Sequence, residues 1–240
     1  MRNYNESLKY IEDNQYLISM VSVSEILRLG YELELNENSR VLDLCCGYGT
    51  VLKVWAEAFG ISGTGVDICG EFLHIGKSRL GQSGITSVDL VHKDVNKYKD
   101  NTKYDVVICS ETIDTIENTF MLAEKFLKKG GTLLFQRVSS LLEEVPKELD
   151  EFDGGVYPIA KLNEIFNGLG YYITNLATGT ENDWNRYYTS SVRREFGKLC
   201  KKPDEARKAW MDEWNRMYFK YRMPFENQAM FCLQKLYDLD

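Results

Sequence analysis

Short runs rich in β-branched residues alternate with helix-like patterns in this 240-residue chain, and this alternation constrains its fold more than any other feature. Between the runs, apolar residues recur at three- and four-residue spacings, as in amphipathic helices. Strands that alternate with helices of this length predict βαβ units and a doubly wound, mostly parallel sheet covered on both faces. The predicted strands are 40–45, 63–68, 88–91, 104–109, 132–135, 171–177 and 228–234.

Three segments lie outside this alternation. Residues 1–38 predict one or two short helices, with Ser22 or Ser24 as a cap. Residues 139–157 form an acidic connection, and 180–224 contain two helical stretches rich in aromatic residues. The last two segments can cover the ligand crevice, because loops at the carboxyl ends of strands border it. We predict one domain with a helical cap (1–38), a ligand-binding core (39–178), a helical insertion or lid (179–225) and a last strand (226–240).

Composition excludes several classes of protein. Hydrophobic residues make up 44% of the chain and prolines number 4, which excludes a disordered or collagen-like chain. The net charge of −7 disfavours nucleic-acid binding. No apolar run reaches the roughly 20 residues of a membrane span, and no secretory signal precedes the first helix, so we expect no membrane association. The 6 cysteines form no C-x-x-C pair. We therefore expect neither a metal site nor disulfides, and a cytoplasmic location.

A Gly-x-Gly turn joins the first predicted strand to the helix that follows it. Gly47 and Gly49 let the backbone approach a ligand closely, and the helix N-terminus directs N–H groups towards it. Asp67 ends the second strand, where a carboxylate can accept two hydrogen bonds from a ribose diol. Asp94 ends the third strand. A purely structural turn explains the glycines alone equally well, but the combination is far more specific to a cofactor that contains a ribose.

These residues resemble the class I S-adenosylmethionine-dependent methyltransferases. Segment 41–49 (VLDLCCGYG) resembles the family's first motif, whose loop holds the methionine part of the cofactor. Segment 65–68 (GVDI) resembles the ribose-binding strand end. Segment 92–95 (HKDV) resembles the adenine site, which places the Asp94 carboxylate on the exocyclic amine and the Val95 N–H on a ring nitrogen.

The resemblance extends to later motifs and covers residues 40–138. Segment 104–110 resembles the strand that faces the methyl group, and 128–134 resembles the turn into the fifth strand. One departure is Cys45, which stands where the family's motif has its first glycine. The cofactor-binding residues that the resemblance implies are Asp43, Cys45, Cys46, Gly47, Gly49, Asp67, Ile68, Asp94, Val95 and Ser110.

The resemblance also implies the complete fold and the reaction. The fold is α/β, a Rossmann-like doubly wound sheet of seven mostly parallel strands, with an antiparallel last strand and a helical lid. The activity is methyl transfer to a small-molecule acceptor by in-line displacement. A nicotinamide-binding Rossmann protein is disfavoured, because Leu52 stands where its fingerprint needs a third glycine. A cofactor-binding partner subunit without catalysis remains the alternative, and the sequence leaves the oligomeric state open.

Candidate residues for the acceptor follow the fourth strand and lie in the insertion. Glu111 is a candidate catalytic base and Asp114 a candidate acceptor-binding residue, but both also suit a solvated loop or helix cap. The motif of base amino-methyltransferases is missing at this place, and methylation of protein or RNA is disfavoured.

The insertion carries aromatic residues at helical spacing, Trp184, Tyr187 and Tyr188. They predict either two helices that pack on each other and on the core, or an aromatic lid over the acceptor. In the second case Arg186 or Arg193 is available for a carboxylate or phosphate. The W-x-x-Y-Y insertion resembles that of a group of bacterial small-molecule methyltransferases.

Overall fold

The computed structural model describes residues 2–110, 113–153 and 155–236. Within them, eight strands form one sheet in the order β3-β2-β1-β4-β5-β8-β7, with the short β6 paired to β5. Strand β8 is antiparallel to β5 and β7, and the other pairs are parallel. The predicted doubly wound sheet with an antiparallel last strand is therefore confirmed. The strands are β1 (Arg40–Leu44), β2 (Ser62–Asp67), β3 (Val88–His92), β4 (Tyr104–Cys109), β5 (Leu127–Ser140), β6 (Tyr157–Pro158), β7 (Tyr171–Thr178) and β8 (Glu226–Lys235).

Helices cover both faces of this sheet. Helices α2, α3 and α4 contribute to the apolar core on one face, where Trp55 is fully buried and donates from Nε1 to the Ile26 carbonyl at 2.8 Å. Helices α5 and α7 contribute to the core on the other face. The helices are α1 (Arg2–Gln15), α2 (Val23–Glu32), α3 (Thr50–Phe59), α4 (Gly70–Gln82), α5 (Ile116–Glu124), α6 (Lys147–Asp153), α7 (Ile159–Gly168), α8 (Glu181–Lys201), α9 (Glu205–Met217) and α10 (Met223–Phe225), with a 3-10 turn at Val95–Lys97 and a π-helix at Tyr218–Arg222.

Helix boundaries follow the capping chemistry in most places. Ser22 caps α2 and accepts a hydrogen bond from Glu25 N at 3.4 Å, and Gly60 ends α3 in the left-handed region with φ 74°. Helix α5 ends at Glu124, six residues before Gly130. Tyr104 N donates to the Phe126 carbonyl at 2.9 Å, and this bond draws the following residues into β5.

A covering layer lies over the carboxyl ends of the strands. It consists of the strap, residues 16–20 between α1 and α2, and the lid, residues 181–225. The lid has its own small aromatic core, in which the rings of Tyr188 and Tyr218 stack with centroids 3.8 Å apart. Tyr218 donates to Asn185 Oδ1 at 2.7 Å, which joins the π-helix to α8. Because the rings face one another inside the lid, its helices are held as one packed unit.

Candidate active site

The glycine-rich turn after β1 forms the floor of the crevice. Cys45, Gly47 and Gly49 have φ values of 65°, 55° and 67°, so three residues of this short turn occupy the left-handed region. A side chain at Gly47 or Gly49 would collide, because an added Cβ would lie 2.7 Å from Ile18 Cδ1 or 2.8 Å from Leu90 Cδ2. The turn therefore keeps bare backbone facing the crevice, as close approach to a ligand requires.

Two carboxylates border this turn. Asp67 accepts from Gly47 N at 2.7 Å and from Cys69 N at 2.8 Å, which fixes its orientation and leaves a further lone pair on each oxygen. Asp43 is buried, and its Oδ1 has no hydrogen-bond partner among the described residues. Burial, and secondarily the charge of Asp67, raises the pKa of Asp43 well above its usual value. A buried, unpartnered carboxyl oxygen beside a glycine turn suits a donor group of a ligand.

The predicted adenine-site residues lie at the ends of β2 and β3. Asp94 caps the 3-10 turn and accepts from Asn96 N at 2.9 Å, and this backbone bond is the main cause that lowers the Asp94 pKa. Val95 is buried, whereas the neighbouring Ile68 is 72% exposed. An exposed isoleucine next to Asp67 leaves an apolar surface that a flat ring could cover.

Two cavities meet above the sheet. The inner cavity, of about 200 Å³, is lined by the glycine turn, both carboxylates and the strap. The lid cavity, of about 260 Å³, lies under the lid and against β5 and β8. Ile18, Ser110 and Gln136 line both cavities, so the two spaces adjoin at these side chains.

The structure brings part of the predicted cofactor set into the inner cavity. Ile68, Asp94, Val95 and Gly49 do not line it. The predicted residues that do line it are Asp43, Cys45, Cys46, Gly47, Asp67 and Ser110.

The predicted acceptor-binding residues of the insertion also differ in whether they line a cavity. Tyr187 lines the lid cavity, whereas Trp184 and Tyr188 are buried in the aromatic core of the lid. Arg186 donates to the main-chain carbonyls of Asn14 and Ser19, both at 2.8 Å, and burial lowers its pKa. Arg186 thus connects the lid to the strap.

Of the two acidic candidates that follow β4, only Asp114 lies among the described residues. Glu111 lies outside the described residues, so its role stays a prediction. Asp114 is exposed, has φ 73° and accepts from Asn118 Nδ2 at 2.7 Å. It lines neither cavity.

Sequence reasoning missed Gln136 on β5. This residue is only 3% exposed, its Nε2 lies 3.5 Å from the Ser110 carbonyl, and its Oε1 has no hydrogen-bond partner in the described part of the chain. The sequence feature that could have identified Gln136 is a polar side chain directly after the apolar run Leu133–Phe135. Arg222 of the π-helix, which lines the lid cavity, gives no comparable signal.

Among the described residues, no three His, Cys, Asp or Glu side chains are grouped so as to hold a metal ion. None of the helices in these residues is long and apolar enough to cross a membrane.

Comparisons with known proteins agree with this geometry. Residues 41–131 match the family described as "Methyltransferase domain". The chain is 30% identical to the protein YjhP of Escherichia coli (strain K12) over 169 residues, which cover 66% of this chain and 68% of YjhP. It is 28% identical over 155 residues to the phosphoethanolamine N-methyltransferase of Plasmodium falciparum (isolate 3D7), covering 56% of this chain and 58% of that protein.

The fold agrees with a crystal structure of an S-adenosylmethionine-dependent methyltransferase from Geobacter sulfurreducens in complex with S-adenosylhomocysteine. The TM-score is 0.86 at 23% identity, and the match covers 92% of this chain and 94% of the other. The chain therefore belongs to the class I S-adenosylmethionine-dependent methyltransferases.

Proposed function

We propose that this enzyme transfers a methyl group from S-adenosylmethionine to a small-molecule acceptor by in-line displacement. The observation that carries the proposal is the junction of the two cavities at Ser110 and Gln136. One cavity has the glycine turn and carboxylates expected for the cofactor, and the other is enclosed by the lid. A donor in the first and an acceptor in the second would meet at this junction.

The residues present fit the cofactor. The bare turn around Gly47 accommodates a ligand backbone, and Asp43 Oδ1 is a buried acceptor in need of a donor. Asp67, already oriented by two N–H groups, is suited to the ribose hydroxyls. The exposed side chain of Ile68 would cover the adenine ring, and Asp94 with Val95 would contact its edge.

The cofactor supplies an activated methyl group on a sulfonium. The task of the chain is therefore to align the acceptor and to exclude water, and alignment can contribute up to about 7–11 kcal/mol. The strap and lid close the cavities, and Gln136 offers an amide at the junction that can orient the nucleophile. Glu111 is the proposed base where the acceptor arrives protonated.

Further observations support a small acceptor. The lid cavity of about 260 Å³ admits a metabolite but no polymer segment of appreciable size. The Plasmodium relative is named for action on phosphoethanolamine, which is a small molecule. The six cysteines are all free thiols, which supports a reducing compartment such as the cytoplasm. The catalytically silent subunit is not favoured by these observations.

The test is calorimetric titration with S-adenosylhomocysteine. Asp67→Ala is expected to weaken binding about tenfold to a hundredfold, because a charged hydrogen-bond acceptor is lost. The control is Asp89→Ala, which removes an exposed carboxylate from the neighbouring strand β3 and should leave the affinity unchanged. Equal affinity in the Asp67 variant and the native chain would reject the ribose assignment.

A further inference from the structure

The lid cavity has a basic lining. Arg137 of β5 and Arg222 of the π-helix both line it, and the described residues around it include no acidic side chain. This charge is local, because the whole chain carries a net charge of −7. The cavity therefore differs electrostatically from the inner cavity, whose lining includes two carboxylates.

Arg222 is the more deeply placed of the two. The residue is 7% exposed, and its guanidinium carbon lies 5.0 Å from the ring centre of Trp214. Its Nε is 3.9 Å from Glu226 Oε2, which is an ionic contact. Glu226 is buried behind Arg222 and does not line the cavity. The π-helix that presents Arg222 is a rare conformation, which occurs frequently at functional sites.

A second donor lies in the same wall. Trp214 lines the cavity, and its indole Nε1 is buried without a hydrogen-bond partner among residues 2–110, 113–153 and 155–236. An indole N–H can only donate, and a guanidinium can only donate. A wall with these donors is matched by a group that only accepts hydrogen bonds and carries negative charge, namely a phosphate or a carboxylate.

The route to the cavity carries the same sign of charge. A third cavity of about 480 Å³ lies between the strap and α8, and it shares Ile18 and Tyr187 with the lid cavity. Arg193 and Arg194 line this outer space and are exposed. Exposed arginines at an entrance would raise the local concentration of a small anion.

We propose that the methyl acceptor is a small molecule with an oxyanionic group, which Arg222 and the Trp214 N–H hold beneath the lid. The reacting end of that molecule then lies towards Gln136 and the inner cavity. This proposal rests on the proposed function, which it extends by naming the chemical class of the acceptor. Phosphate monoesters and carboxylates share the required chemistry.

The experiment measures binding of two probes, inorganic phosphate and acetate, to the full chain saturated with S-adenosylhomocysteine. Calorimetry or ligand-observed NMR gives the dissociation constants. The main variant is Arg222→Met with Glu226→Gln, because removing Arg222 alone would take a positive charge away from a buried carboxylate. We expect at least one probe to bind the native chain and to bind this double variant at least tenfold more weakly.

Two controls separate the guanidinium from general effects. Glu226→Gln alone removes a negative charge near the site, so it should bind the probe at least as tightly as the native chain. Arg216→Met removes an exposed lid arginine that pairs with Glu213 at 2.7 Å and lines neither of the two central cavities, and it should leave the affinity unchanged. Trp214→Phe keeps an aromatic ring but removes the N–H, and should weaken binding by roughly threefold to tenfold. If the double variant fails to fold, the Trp214→Phe variant tests the proposal in its place.

Each outcome decides the proposal. Preference for phosphate would indicate a phosphate monoester, and preference for acetate would indicate a carboxylate. A native chain that binds neither anion, or a folded double variant that binds as tightly as the native chain, would overturn the proposal, as would unchanged affinity in Trp214→Phe. Failure of the proposed function can be distinguished from failure of this proposal. The first would appear as absent binding of S-adenosylhomocysteine, and anion titrations without that ligand would still measure the contribution of Arg222.

Discussion

The inner cavity and the lid cavity adjoin, yet they are built in different ways. The floor of the inner cavity depends on main-chain geometry over a short stretch of sequence, from Asp43 at the end of β1 to Asp67 at the end of β2, and the strap, Ser110 and Gln136 complete its walls. The walls of the lid cavity come from distant segments that include Met20, Gln136 and Arg222. A surface built from local backbone therefore leaves a motif in the sequence, whereas a site assembled from distant side chains does not.

The covering layer depends on long-range polar contacts for its position. Gln228 Oε1 on β8 accepts from Met20 N at 2.6 Å, and Arg186 of the lid donates to the carbonyl of Ser19 at 2.8 Å. Thr50 at the start of α3 donates to the Tyr16 carbonyl at 2.7 Å. The strap is thus held by the sheet, the lid and α3 together.

The largest effect is expected at the carboxylate of Asp13, which lies in the last turn of α1 before the strap and joins this helix to the core. Asp13 Oδ1 accepts from Lys53 Nζ at 3.0 Å and from Arg79 NH2 at 2.5 Å, and all three side chains are buried. Asp13→Ala would leave two buried cations with less compensation, at a cost of about 3–5 kcal/mol in the free energy of unfolding. Urea denaturation measures this cost.

The same variant tests whether α1, which leads into the strap, supports the inner cavity. Arg79 also donates to Thr50 Oγ1 at 3.1 Å, so we expect weaker binding of S-adenosylhomocysteine as well. Glu12→Ala, which changes an exposed neighbour on α1, is the matched control and should have little effect. A loss of less than 1 kcal/mol from Asp13→Ala would show that the contact contributes little.

Two glycines on α4 test how closely this helix packs against the glycine-rich turn. A Cβ at Gly76 would lie 2.5 Å from the Tyr48 carbonyl oxygen, so α4 or the turn must move. Gly76→Ala is expected to destabilise the chain by about 1–3 kcal/mol and to weaken binding of S-adenosylhomocysteine.

Gly81→Ala is the matched control on the same helix. Apart from its chain neighbours and the adjoining backbone of α4, no heavy atom of the described residues lies within 4 Å of the Cβ that would be added there. The helix propensity of alanine should therefore stabilise the chain, by up to about 1 kcal/mol. If Gly76→Ala and Gly81→Ala both stabilised or both destabilised the chain, the requirement for glycine at position 76 would not come from close packing of α4 on the turn.

These contrasts explain how much the sequence predicted. The alternation of strands and helices was predicted because it follows from periodicity, and the resemblance to the family implied the antiparallel last strand. The position of Asp67 at the end of β2 also follows from the strand pattern, but the two N–H groups that orient its carboxylate were not predicted. Arg186 was predicted as an acceptor-binding residue, but its partners lie 172 and 167 residues away and no local pattern identifies them. Arg222 was missed because its placement depends on a π-helix, whose single extra residue per turn gives no periodic signal.

A smaller effect is expected from Asp43, the buried carboxyl of the inner cavity. Because the pKa of Asp43 is raised in the folded state, the contribution of this carboxyl to folding stability is fully present below its ordinary pKa near 4. The contribution is lost as pH rises through the higher pKa of the folded state. Asp43→Asn removes the ionisable group, so we expect about 1 kcal/mol of added stability at neutral pH without ligand. Unfolding measured between pH 4 and 8 should show less pH dependence in this variant, together with weaker binding of S-adenosylhomocysteine. An unchanged pH profile would contradict the assigned pKa shift.

The smallest effect concerns Cys45, which has a left-handed φ of 65° where the family's motif has glycine. An L-residue in this region costs about 1–2 kcal/mol, while glycine costs about 0.5–1 kcal/mol in extra chain entropy. Cys45→Gly should therefore stabilise the chain by up to about 1 kcal/mol and keep its affinity for S-adenosylhomocysteine. Cys45→Ala keeps the Cβ and should bring no such gain, which isolates the backbone from the loss of the thiol. If alanine stabilised the chain as much as glycine, the thiol itself, and not the left-handed backbone, would be the unfavourable element of the turn.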